Sequence, residues 1–186
     1  MKLRLLAILP ILLLSACTQL PLNFSVPNVG PSTRKLDAEV KSVTVTVGRP
    51  DEATGSIDTQ TSGITGIWKE ALQESLDKMA IFTDNANKKV SLSVKILKFD
   101  VPSFGFSMTT ETAARYELID RSTGGIIYTQ DINASGIVPA DYAFVGVVRM
   151  RESINRSVQN NIAQFLQSLD TIDLSKPMFP VAQQVK

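Results

Sequence analysis

Histidine is missing from this 186-residue chain, and cysteine occurs once, at position 17. Without imidazole there is no Ser-His-Asp or Cys-His arrangement and no histidine-ligated zinc. One thiol cannot close an internal disulfide or form a redox pair. Charge of one sign is also scarce. Nineteen Lys and Arg stand against 18 Asp and Glu, a formal +1, which leaves no basic surplus to grip nucleic acid or anionic lipid. The apolar run Leu5 to Leu14 is about half the roughly 20 residues that cross a bilayer, and Pro10 interrupts it.

What is present begins with that run. Lys2 and Arg4 precede it and Ser15-Ala16-Cys17 follow it, the order of a secretory signal peptide spanning residues 1–16. Leu14-Ser15-Ala16-Cys17 resembles the lipobox of bacterial lipoproteins. The resemblance implies a diacylglyceryl group on the Cys17 thiol, cleavage before it and acylation of the new amino group with fatty acid such as palmitate. Two or more acyl chains hold a protein durably on a membrane. By the same analogy Thr18, in place of Asp, implies the outer membrane, on its periplasmic side. Cleavage would take 16 residues from 186, leaving 170, and Lys2 and Arg4 from the 19 basic residues, leaving 17 against 18 acidic ones.

About 170 residues suit one domain with a continuous core. Residues 17–36, with Pro21, Pro27, Gly30 and Pro31, show no helical or strand period and read as a lipidated flexible tether. The single domain is expected over 37–170 and a loosely docked tail with Pro177 and Pro180 over 171–186. Within the domain, Val43, Val45 and Val47 alternate with polar residues as in a half-buried strand. Arg49-Pro50 stops it, and the polar stretch through Gly63 reads as a long surface loop. From Ile64 to Met79 the apolar residues recur at helical spacing, with Trp68 in the stripe and so in the core.

Val90, Leu92, Val94 and Ile96 mark a second strand, about Ser107 to Ile119 a third, and about Gly125 to Ser135 a fourth. Asp120-Arg121-Ser122-Thr123-Gly124-Gly125 supplies hairpin turn chemistry between the last two. A long amphipathic helix ends at Leu169 and starts at about Asp141, or nearer Val147 because Gly146 weakens the first turns. The order β-α-β-β-β-α gives an α+β two-layer sandwich. Two helices cover one face of a mainly antiparallel four-stranded sheet, and the other face, with Lys95, Thr109, Glu111, Arg115 and Glu117, meets solvent.

The lipobox, the Pro-rich stretch, the helix Trp68 to Leu76, the strand Val90 to Phe99 and the segment Gly136 to Leu169 follow in an order that resembles YajG-like bacterial lipoproteins. The element order is also similar to the lipoprotein subunit of the outer-membrane lipopolysaccharide translocon. The resemblance implies the fold and an envelope location more than an activity.

Carboxylate pairs are the remaining candidates for chemistry: Asp51 with Glu52, Asp170 with Asp173, and Asp120 with Asp131. Acid–base work needs two of them converging in a cleft, which no spacing here specifies, and solvated surface roles are expected. Gly63, Gly66, Gly124 and Gly125 lack the context that cradles phosphate. No catalytic residue, metal or cofactor is expected.

Two apolar stretches invite a binding role. Phe104, Phe106 and Met108 lie in a loop between strands; folding back over the core edge is favoured slightly over a partner-binding role, in which exposed loop aromatics anchor protein interfaces. Tyr142 to Val148 is apolar on nearly every side, and burial under the preceding loop is favoured slightly over contact with another chain. The expectation is a non-enzymatic envelope lipoprotein, anchored through Cys17, whose sheet or aromatic loop docks another envelope protein as an accessory or assembly factor. The alternative is a periplasmic carrier of lipid or glycan, which requires a sizeable apolar cavity between helices and sheet.

Overall fold

The computed structural model describes residues 21–58 and 63–174. The signal segment, Cys17, Thr18 and the tail with Pro177 and Pro180 lie outside the described residues.

Six elements follow in the expected order: β1 Glu39–Val47, α1 Ile64–Met79, β2 Lys89–Asp100, β3 Met108–Asp120, β4 Ile126–Val138 and α2 Gly146–Leu169. They build one four-stranded sheet in the order β1-β2-β3-β4. β1 and β2 are parallel, because a helix, α1, connects them and returns the chain to the same end. The other two pairings are antiparallel, from Val90 opposite Asp120 to Asp100 opposite Glu111, and from Met108 opposite Val138 to Ile119 opposite Ile126. Between β3 and β4 the Asp120 carboxylate accepts the Ser122 amide at 2.8 Å. Gly124 takes φ 72° there, a conformation costly for a residue with a Cβ.

Both helices lie on one face. Val90, Leu92, Val94, Ile96, Tyr116 and Leu118 point from the sheet toward Trp68, Leu72, Val158, Ile162 and Phe165, and all are buried. Tyr116 stacks on Phe165 with ring centroids 4.2 Å apart, and Phe24 meets Trp68 edge-on at 6.3 Å. Where α2 crosses β3 and β4 the contact is polar instead. Thr110 and Ser153 hydroxyls lie 2.8 Å apart, and Ser157 donates to Thr112 at 3.0 Å. Asn161 accepts from the Tyr116 hydroxyl at 2.8 Å and donates to the Ile132 carbonyl at 3.0 Å. All of these side chains are buried, and each group taken from water has a partner inside.

Two expectations change, and one left open is decided. The described part of the expected tether, residues 21–36, is packed on the domain: Phe24, Val26 and Leu36 are buried. Hydrogen bonds hold it along α2, from Asn23, whose amide donates to Asn155 at 2.9 Å, to Ser32, which donates to Asp170 at 2.9 Å. Arg34 completes the attachment by donating to the carbonyls of Asp170 and Ile172. The polar stretch after β1 also does more than loop through solvent. Thr54 and Asp58 amides donate to the carbonyls of Leu97 and Phe99, and Phe99 returns a bond to Ser56, extending the sheet edge beside β2. Finally, of the two starts expected for α2, the later one holds: the helix begins at Gly146, with extended Val145 before it and no side-chain cap, and not at Asp141.

Candidate functional site

The register that pairs Met108 with Val138 brings two loops to one end of the domain: 101–107, entering β3, and 139–145, entering α2. Arg149, one turn into α2, ties them together. Its guanidinium donates to the carbonyls of Ala143, Phe144 and Gly105, the last two at 3.1 and 3.3 Å. Arg156 lies 5.1 Å from the Tyr142 ring centroid, a cation–π distance, and donates to the Ile137 carbonyl at 3.1 Å.

This stapled end is apolar. Phe104 is 88% exposed, Phe106 89% and Phe144 100%. Among the described residues, every exposed large apolar side chain except Val47 and Ile126 belongs to this end: the three phenylalanines with Ile137, Tyr142, Val145, Val147 and Val148. Of the three residues weighed for a partner-binding loop, Phe104 and Phe106 are together and open and do not fold back over the core edge as favoured. Met108 is buried, because as the first residue of β3 it sits on the helix side of the sheet. The favoured burial of Tyr142 to Val148 under the preceding loop does not occur: Tyr142, Phe144, Val145, Val147 and Val148 are exposed, and Arg149 bonds the carbonyls of Ala143 and Phe144. A segment without a polar face was the sequence signal for this surface. Arg149 as its staple gave no signal, since its acceptors are backbone carbonyls.

Several described carboxylates form surface pairs with lysines and arginines. Lys41 and Lys89 both donate to Glu39 and lower its pKa from 4.5 to about 2; Lys95, with the Arg49 amide, does the same for Glu52. Arg115 and Asp131, opposite one another in the register, form a two-pronged bridge at 2.6 and 2.7 Å that holds the Asp131 carboxyl below its ordinary range. Of the carboxylate pairs considered, Asp51 and Glu52 face Arg49 and Lys95, while Asp120 bonds Ser122, away from Asp131. Asp170 accepts from Ser32. No group of three potential metal ligands occurs among the described residues, and no described helix is long and apolar enough to cross a membrane.

The open sheet face is polar, carrying Ser91, Ser93, Lys95, Glu111, Arg115, Asp131 and Asn133. Between sheet and helices, Trp68, Tyr116 and Phe165 fill the layer where a carrier would place its apolar ligand. A cleft of about 610 Å³ lies at the outer edge of β1, with a mixed wall of Lys35, Glu39, Lys41 and Asp77 beside Val40, Leu76 and Phe82.

The sequence matches no protein-family model and no curated protein. Among solved structures the chain is similar to a Xanthomonas campestris protein of family DUF330, at 8% identity and a TM-score of 0.54, over 77% of this chain and 91% of that one. A minor lipoprotein of Acinetobacter baumannii follows at 11% identity and 0.41, over 70% and 91%. The lipoprotein GNA1162 of Neisseria meningitidis has 9% identity and 0.36, over 70% and 99%. At such identities the likeness to the Xanthomonas protein is one of fold.

Proposed function

We propose that this chain is a non-enzymatic cell-envelope lipoprotein, anchored through Cys17 on the periplasmic side of the outer membrane, that docks another envelope protein as an accessory or assembly factor. The observation that carries the docking role is the one-sided cover of the sheet. Both helices lie on one face, and the other presents hydroxyl, amide and paired charged groups from β2, β3 and β4. Transient interfaces are more polar than obligate ones, and such a surface suits a reversible contact between proteins. A non-catalytic role is supported by Glu39, Glu52, Asp120 and Asp131, which are engaged by lysines, an arginine and a backbone amide at the surface.

The test places a photocrosslinking residue at Asn133, exposed on the open face, and in a second variant at Lys69, exposed on α1. A reproducible protein adduct from position 133 and none from 69 is expected in cells. Adducts of equal pattern from both positions, or none from 133, would contradict docking through the sheet.

A further inference from the structure

We propose that the end of the domain bearing Phe104, Phe106 and Phe144 rests on the membrane leaflet that holds the acyl chains of Cys17, with the three phenyl rings seated at the boundary between headgroups and tails. The inference rests on the reading of Cys17 as lipidated and adds what that reading leaves open, the orientation of the domain and the ligand of its apolar end.

The path of the chain carries the argument. Pro21 and Leu22 share a groove with Val101, Pro102 and Ser103, immediately before Phe104, and with Met150 on the first turns of α2. From there the segment runs away from this end, past Asn155 and Gln159, which bond Asn23, to Asp170 at the far end of α2. The chain therefore enters the domain at its apolar end. Cys17 is four residues before Pro21, and four residues span at most about 14 Å. Because residues 21–36 are docked, only Thr18, Gln19 and Leu20 separate the anchor from the packed chain. The apolar end is the part of the domain held nearest the bilayer.

Its chemistry suits that position. Arg149 fixes both loops, so the rings are presented without a large ordering cost. Tyr142, with Arg156 against its ring, flanks them, and tyrosine and arginine place an apolar body and a polar tip at the headgroup level. Asp100 and Asp141 are exposed at the same end and keep the seating shallow, about 5–10 Å into the interface as for other surface-bound apolar faces. A protein or a second copy would have to enter the narrow gap beneath the domain.

The experiment uses the full lipidated chain in vesicles of phosphatidylethanolamine and phosphatidylglycerol. With the Cys17 thiol acylated, Phe104→Cys supplies a single free thiol for an environment-sensitive fluorophore, and Thr123→Cys, in the turn at the opposite end, is the control. The label at 104 is expected to shift to the blue and to be quenched several-fold more by brominated acyl chains than the label at 123. If the protein is acylated and vesicle-bound but the label at 104 is as aqueous as that at 123, the orientation is overturned and the anchor stands. A blue shift without quenching by brominated lipid would mean a contact with a second copy and would also overturn it. An unmodified Cys17 thiol in the intact mass would overturn both readings.

Discussion

Gly136 of β4 lies directly under Ser153 of α2. A Cβ at position 136 would collide with the Ser153 carbonyl oxygen and the Ser157 amide nitrogen, and would stand 2.9 Å from Arg156 Cβ. Two of these neighbours are helix backbone, which cannot swing aside. Gly136→Ala is therefore expected to cost about 3 kcal/mol, the upper part of the overpacking range, and to lower the melting temperature by roughly 6–12 °C for a domain of this size. Thermal unfolding followed by circular dichroism checks it, and an unchanged melting temperature would show that the two elements are not in contact.

One turn further along α2, Asn161 is the hub of the polar seam. Asn161→Ala strips the buried Tyr116 hydroxyl of its acceptor and the Ile132 carbonyl of a donor, at an expected cost of about 2–4 kcal/mol. Tyr116→Phe costs about 1–3 kcal/mol by leaving the Asn161 carbonyl oxygen short of a donor. Because both remove the same bond, the double variant should be less destabilised than the sum of the two. Strict additivity in denaturant unfolding would contradict the bond.

The segment before β1 contributes to stability. Phe24 is buried edge-on against Trp68, so Phe24→Ala is expected to cost about 3 kcal/mol. A mature chain shortened to begin at residue 37 should lose at least as much, whereas one beginning at residue 21 should unfold like the longer form. Equal stability of all three would return residues 21–36 to the role of a free tether.

This segment also marks where the sequence was hard to read. Strands and helices announced themselves through the periods of valines in β1 and β2 and the stripes around Trp68 and Ile162, since each buries one continuous face. Phe24 and Val26 stand alone in a Pro- and Asn-rich stretch, and its partners, Asn155 and Asp170, are more than 130 residues away. The hydroxyl seam was hidden for a related reason. Thr110, Thr112, Ser153 and Ser157 carry no apolar signal, and their burial follows from the close approach of α2 and the sheet at Gly136. Phe104 and Phe106 were recognisable as a candidate surface because a loop between strands rarely needs two phenylalanines. That Phe144 joins them follows only from the register that brings both loops to one end.

Acid should weaken the fold through its surface pairs. Lys41 and Lys89 hold Glu39 at about 2 in the folded state against an ordinary 4.5, and Lys95 holds Glu52 at about 2. For depressed carboxyls the added stability is complete above about pH 4.5 and is lost as pH falls toward 2. With no histidine in the chain, the melting temperature should change little between about pH 5 and 8. High salt should flatten the acid limb, because the pairs are exposed and screened. Glu39→Gln should remove part of that limb, and a transition centred near neutral pH would contradict the assignment.

The proposed place of the domain at a membrane surface depends on the anchor at Cys17. The most direct measurement is the intact mass and membrane fractionation of the protein expressed in a Gram-negative host, beside Cys17→Ala. The expected product is a chain that begins at Cys17, carries added acyl mass and sediments with membranes, while Cys17→Ala does not. A wild-type chain with an unmodified thiol, released like the variant, would contradict it.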